Sequence, residues 1–417
     1  MALSALEDIS LGYQLLWNRL RQLCGVQLFI QADKPATVDA PALMRALNDL
    51  WPEQAPVLLL SVPSSLLLGA LLECTPAGNL WIEVNDTQLR DPALVRRVRQ
   101  AHQRGLRLIW RGAPGARPST MLATCFVRQM MTLSADEALM GLRVSMRQHL
   151  STGTPLKHRF SSPVLAGQIY ESMASRALAD HCLDEQGVWA VAGWPLEDVL
   201  HGYRSRRIPP GQRTITQLRE AIDADAPMET IEHLLSDDPL LAYRFMRYAN
   251  SAGLGRLTEI ESLRHALMVL GISRLRSWLL DQFPHASRDL NLQPIRIAMG
   301  VRARLMTYLL DSGGSEDLRR EVFMCGLLSQ IDLLLGEPLN EALARLPLPQ
   351  RINAAILSHS GPYRPYLELA IALESPPTPA TRELCATHQI NTDAVNRALL
   401  RALSSTGART TRKRLPA

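Results

Sequence analysis

Hydrolysis, phosphoryl transfer and metal binding each need particular residue types at particular spacings, and most of those spacings are missing from this chain. It has no Gly-x-x-x-x-Gly-Lys phosphate loop, no Gly-x-Ser-x-Gly elbow, no His-Glu-x-x-His helix and no strand-turn-helix Gly-x-Gly-x-x-Gly. Cys24, Cys74, Cys125, Cys182, Cys325 and Cys385 stand far apart with no Cys-x-x-Cys pair. They signal neither a zinc site nor a disulfide framework, and they suit a reducing cytoplasm. His233 has Asp237 four residues on, but Asp237 falls in a Ser-Asp-Asp-Pro break and no second histidine is near, so a satisfied surface or core histidine is expected. His359, beside Ser360-Gly361-Pro362, reads as a cap just beyond a helix end. What remains is one carboxylate, Glu83, inside the apolar run Leu80–Val84, and one cation, Arg111, directly after the run Leu106–Trp110.

Those two runs belong to a series. Gly25–Ile30, Val57–Val62, Leu80–Val84 and Leu106–Trp110 have strand length, and helical stretches such as Pro92–Arg104 lie between them. The rhythm implies parallel strands with crossover helices over residues 1–204, and a TIM-like barrel is the economical closure. The apolar stretch 55–72 is broken by Pro63, Ser64 and Ser65, so it reads as strand, turn and helix start and no membrane span is expected. The polar segment 201–215, with Pro209-Pro210-Gly211, reads as a linker.

Beyond it the period changes to helical. Asp238 can cap a helix that has Pro239 at its first position, with Leu241, Phe245 and Tyr248 on one face, and the helix should end at Asn250-Ser251-Ala252-Gly253. Asn250 and Ser251 are expected to satisfy backbone groups there. Ser262 can cap the next helix, whose stripe is Leu263, Ala266, Leu267 and Leu270, and Gly271 fits a left-handed position after its last turn. A third opens at Ser273. Further helical patterns run through Ile295–Leu310, Leu318–Leu335, Leu339–Arg345, Arg351–Ser358, Tyr366–Leu373, Ala380–His388 and Asp393–Leu403. The fold class is thus α/β followed by all-α, with residues 1–204 and 205–403 as domains and 404–417 as a basic tail expected to be disordered.

Across the 417 residues, 47% are hydrophobic and 20% charged, a globular balance. The net charge is +5, but Arg409, Arg412, Lys413 and Arg414 supply most of it, so the body is nearly neutral and no specific nucleic-acid partner is expected. Only Lys34, Lys157 and Lys413 of the 45 basic residues are lysines. Arginine is therefore the general cation here, and its identity alone marks no phosphate contact. The N-terminus lacks the basic region and long apolar run of a signal peptide.

The order Asp238-Pro239, helix, Asn250-Ser251-Ala252, Ser262-Leu263-x-x-Ala266-Leu267-x-x-Leu270-Gly271 and a basic-apolar helix with Trp278 resembles the HDOD family, an all-helical signalling module related to HD phosphohydrolases. The His-Asp metal pair of HD hydrolases would fall on Ser329-Gln330, and Arg302 and Arg304 lie on the preceding helix. Residues 9–197 resemble a decayed EAL domain, the barrel of bacterial cyclic-di-GMP phosphodiesterases. The matches are Tyr13-Gln14, Gly25-Val26-Gln27-Leu28-Phe29, Leu80 to Asp86, Gly105 to Trp110, Val164-Leu165-Ala166, and Gly187 with Gly193-Trp194-Pro195.

Two-metal phosphodiester hydrolysis needs several hard oxygen ligands. By this resemblance the signature Glu is Gln27, the following Arg is Gln31, the metal-binding Asn is Ser61, the paired aspartates are Arg111-Gly112, and the late Glu positions fall on Gly167 and Tyr170. Only Glu83 keeps a carboxylate, expected to be a residual barrel-mouth group paired with Arg111. The combination resembles the EAL–HDOD architecture of bacterial signal transduction. It implies a cytoplasmic, non-enzymatic adaptor without catalytic, metal or cofactor residues, regulating a protein partner by contact. The alternative is a cyclic-di-GMP receptor that binds without hydrolysis, and the third reading is an active phosphodiesterase.

Overall fold

Five residues, Asn18 to Gln22, decide the orientation of the first strand. The computed structural model describes residues 5–75, 78–150, 161–251, 259–310, 315–376 and 379–407. In it β1 (Ile9–Trp17) turns directly into β2 (Leu23–Ala32). The Asn18 side chain accepts from the Leu20 and Gln22 amides, and Arg21 takes a left-handed φ of 53°. A connection that short can only join antiparallel neighbours. The strands read from the sequence are parallel as expected, and a strand that precedes them differs: β1 pairs antiparallel with both β2 and β8.

The other strands are β3 (Val57–Ser61), β4 (Leu80–Asn85), β5 (Arg107–Arg111), β6 (Phe126–Thr132), β7 (Ile169–Glu171) and β8 (Ala190–Ala192). From β2 to β8 they pair in parallel, in sequence order, and β8 returns to β1 to close the barrel. Caps fix the crossover helices: Asp39 accepts from the Ala42 amide, Ser64 from Leu67 and Asp91 from Ala93, with proline near the start of the first and third. Leu59, Trp81, Ile109, Met130, Ile169 and Ala190 pack into one apolar cluster drawn from six consecutive strands. Side chains on a strand repeat every second residue, so the residues two places further on share that face.

The chain divides into two compact units, Met1–Asp198 with Ala372–Ala417, and Val199–Ile371. The helical domain expected over 205–403 is corrected accordingly. In the barrel unit the final helix Thr392–Gly407 packs on β1, β2 and the helix Ala40–Leu50. Asn396, almost wholly buried, donates to the carbonyls of Leu6 and Ile9, both at 2.8 Å. Leu399, Leu400 and Leu403 are buried beside it. Of the tail, Ser404 to Gly407 are the last turn of that helix rather than disordered chain, and 408–417 lie outside the described residues.

In the unit Val199–Ile371 the expected linker is partly structural. Ile208 and Gly211 are buried, Gly211 forms a bridge with Ser287, and the Ser287 amide donates to Pro210. Asp238 explains the docking. Its carboxylate caps the helix Pro239–Ala249 through the Leu240 and Leu241 amides, accepts from the Gly211 amide at 2.6 Å and pairs with Arg296, whose other end donates to the Pro209 carbonyl. Asp238 and Arg296 are both essentially excluded from solvent. Such a pair persists only where the remaining charge-bearing atoms are also bonded.

Ser262 caps the helix Leu263–Gln282 as expected. The break expected at Gly271 is present: with a φ of 76° it separates two helical segments that meet at a kink, although its ψ of 162° lies outside the left-handed helical well. The expected run Leu318–Leu335 is likewise two helices, Glu316–Leu328 and Ile331–Leu335, broken at Ser329-Gln330. Among the described residues no helix is long and apolar enough to cross a membrane.

Candidate functional site

The polar cluster at the barrel mouth follows from the period of two. Ser61 lies two residues after Leu59, Glu83 after Trp81, Arg111 after Ile109, Thr132 after Met130 and Glu171 after Ile169. Parallel strands bring these positions to one end, where the strands finish. Gln27 on β2 completes the group. Its Nε2 donates to Ser61 Oγ and to Glu83 Oε2, both at 2.8 Å, and Ser61 Oγ donates to the same Glu83 oxygen. Arg111 Nη1 donates to Glu83 Oε1 at 3.1 Å. The other side of the guanidinium grips Glu171, with Nη2 at 2.8 Å from Oε2 and Nε at 3.1 Å from Oε1. Thr132 Oγ1 adds a bond to Glu171 at 2.9 Å.

Gln27, Ser61, Glu83 and Arg111 are therefore brought together as the sequence implies, and the expected Glu83–Arg111 pair is present. Gly112 is not part of the cluster. A Cβ there would lie 2.1 Å from the Trp110 ring, so the buried indole demands glycine. The late positions are corrected. Gly167 sits in a turn with φ of 73°, and the buried Tyr170 hydroxyl accepts from the Leu165 amide. The carboxylate that reaches the mouth is the next residue, Glu171, so Glu83 is not alone. Alternation after Ile169 was the signal that could have found it.

Burial pushes the Glu83 carboxyl above the ordinary carboxylate range. Arg111 and the Ser61 hydroxyl oppose that rise, and the charge of Glu171 adds to it. One guanidinium thus holds two buried carboxylates in a low-dielectric ring. These residues do not fit a pair of divalent cations, because Arg111 already bridges the Glu83 and Glu171 carboxylates and a cation would have to displace it. Among the described residues no group of three or more His, Cys, Asp or Glu is placed to hold a metal ion.

In the helical unit, Ser329 ends the helix Glu316–Leu328, and its hydroxyl donates to the Gly326 carbonyl at 2.8 Å. Arg302, nearly fully buried, donates to that hydroxyl at 3.1 Å. A cation stands where a metal would want anions, and Gln330 makes no side-chain cap. Asn250 is a clamp: Nδ2 donates to the carbonyls of Met246 and Ile260, and Oδ1 accepts from the Ile260 amide. It closes the loop after the helix Pro239–Ala249, as expected of a residue satisfying backbone groups. Ser251 is exposed, and Ala252 and Gly253 lie outside the described residues. Trp278 packs on Phe245 at 5.2 Å and stacks on Tyr248 at 6.0 Å between ring centres. His233 is a half-exposed surface side chain 3.7 Å from Glu229, and His359 follows a helix end with a left-handed φ of 46°.

With this geometry in hand, residues 208–346 match the HDOD domain model. The chain therefore carries an HDOD domain in its helical unit, beside a closed eight-stranded barrel, as the resemblance to the EAL–HDOD architecture implied. Among curated proteins it is 27% identical over 165 residues to the uncharacterized protein YuxH of Bacillus subtilis, covering 38% of this chain and 39% of that one. It is 24% identical over 208 residues to the cyclic di-GMP phosphodiesterase CdgJ of Vibrio cholerae, covering 48% of this chain and 46% of that protein. The matches thus span less than half the length of either relative. Among solved structures, the MmoQ response regulator of Methylococcus capsulatus aligns over 44% of this chain and 94% of its own, at 18% identity and a TM-score of 0.36. The EAL enzyme Bd1971 in its cGMP-bound form aligns over 45% of this chain and 60% of its own, at 13% identity and a TM-score of 0.28.

Proposed function

We propose that this chain is a non-enzymatic signalling adaptor in cyclic-di-GMP-type regulation, acting on a protein partner through its helical unit. The observation that carries the reading is Arg111, bonded at once to both carboxylates of the barrel mouth. A hydrolytic site at the strand ends would need those carboxylates free to hold metal ions. Here they are held by one fixed guanidinium, and the equivalent place in the helical unit holds Ser329 under Arg302. The link to cyclic-di-GMP rests on the match to CdgJ and on the EAL resemblance. With both sites built this way, information is carried by surface shape, and helical bundles offer grooves that accept partner segments.

The test is a paired assay on the full chain. Incubated with cyclic-di-GMP and Mg²⁺ or Mn²⁺, the protein should produce no linear dinucleotide above a buffer control, and metal analysis should find no stoichiometric Mg, Mn, Fe or Zn. Turnover that disappears in Glu83→Ala would overturn the reading in favour of a phosphodiesterase. Binding of the nucleotide, without turnover, that is lost when Arg111→Met is combined with Glu83→Gln and Glu171→Gln would instead make the barrel mouth a receptor.

A further inference from the structure

On the helical unit, one pocket brings together cations and aromatic rings that the adaptor reading does not use. It is open, about 390 Å³, and lined by Arg244, Arg247, Tyr248, Trp278 and Gln282. Arg244 and Arg247 are three apart on the helix Pro239–Ala249, so both guanidinium groups rise from the same face. Among the described residues no carboxylate forms an ion pair with either one: Arg244 Nη2 donates to the Ile208 carbonyl at 3.0 Å, and Arg247 is exposed. Asp238, whose charge acts on Arg244, is already committed to Arg296 and three backbone amides. Burial disfavours the Arg244 charge, Asp238 opposes that, and Arg207, Arg296 and Arg247 add to it. An unpaired, half-buried cation among like charges is unfavourable unless an anion arrives.

We propose that this pocket binds a nucleotide monophosphate, its phosphate held by Arg244 and Arg247 and its base laid on the Tyr248–Trp278 stack. Planar guanidinium forks match phosphate oxygens in pairs, and two of them balance a dianionic monoester. The aromatic wall supplies the second half of the recognition. Tyr248 lies half-buried on the buried Trp278, their rings 25° from parallel, and both line the pocket beside the arginines. Base stacking on such a surface tolerates any base, and the Gln282 amide can donate to and accept from a base edge. The volume falls within the range of small-molecule sites. The proposal is independent of the adaptor reading, because it uses none of the barrel-mouth residues.

The experiment is a calorimetric titration of the full-length protein with GMP, inorganic phosphate and guanosine in separate runs at low salt. GMP should bind measurably, phosphate at least tenfold more weakly, and guanosine not at all. Arg247→Met, a substitution at an exposed position, should weaken GMP at least tenfold with an unchanged melting temperature. Tyr248→Leu should weaken GMP while leaving phosphate alone unaffected. Absence of heat with GMP, or equal affinity in Arg247→Met, would overturn the proposal. So would GMP binding that survives Arg247→Met and disappears when Arg111→Met is combined with Glu83→Gln and Glu171→Gln, since the ligand would then lie in the barrel.

Discussion

Arg111 is the residue on which the barrel mouth depends. Removing it would leave Glu83 and Glu171 buried against each other without a counter-charge. Breaking such a pair from one side costs about 3–5 kcal/mol, whereas replacing all its members by neutral groups costs far less. Arg111→Met should therefore lower the urea midpoint sharply, and adding Glu83→Gln and Glu171→Gln should restore most of it. If the triple variant were no more stable than Arg111→Met alone, the mouth would not be an electrostatic unit. Glu83 also carries a pH signature. Its carboxyl lies above the ordinary range in the fold because of burial, and at that range in the unfolded chain. Its contribution to stability is then fully present below the unfolded value and is lost as pH rises through the folded one. Glu83→Gln should accordingly gain on the parent protein between pH 4 and pH 8, measured as the difference in unfolding free energy, and a difference that shrinks with rising pH would contradict the burial argument.

At the scale of elements, the kink in the helix Leu263–Gln282 is set by one backbone conformation. Gly271 has a φ of 76° and a ψ of 162°, a region that residues with a Cβ scarcely enter. Nothing lies within 4 Å of where its Cβ would stand, so packing does not require glycine and dihedral strain does. Gly271→Ala should cost about 1–3 kcal/mol from that strain alone. Thermal melts should register the loss without a change in helical signal; an unshifted melting temperature would mean that the segment straightens freely. The capping bonds of Asp238, Ser262 and Asn250 were legible because each spans only a few residues at its own helix end, whereas the Asn250 bonds to Ile260 were not. Gly271 was legible as a breaker. Its actual torsion was not, since the sequence marks where a helix is interrupted but not where its two halves must point.

For the whole molecule, the division at residue 371 makes a direct prediction. The fragment 199–371 contains one compact unit, and it should unfold cooperatively by itself. The fragment 205–403, drawn from the change of period alone, carries the helix Thr392–Gly407 without the Leu6 and Ile9 carbonyls that Asn396 satisfies and without the β1–β2 surface on which it packs. It should show more exposed apolar surface by dye binding than 199–371. Equal dye binding and equal cooperativity would mean that this helix belongs to the helical unit after all.

What the sequence alone settled is half of the strands and many helix ends: the apolar runs that became β2 to β5, the proline and carboxylate starts of the helices, and the order of motifs that the HDOD match over 208–346 bears out. These depend on contacts between residues close along the chain. Tertiary structure decided the rest. β1 became antiparallel because a five-residue turn admits no other pairing, and Glu171 reached the mouth because a three-residue strand stops there. Arg111 bonds a residue 28 positions before it and one 60 positions after it. Asn396 reaches back 390 positions to Leu6. Periodicity and capping carry no information about which distant surfaces will meet, because that choice is made by the apolar area and the unpaired carbonyls that each meeting covers.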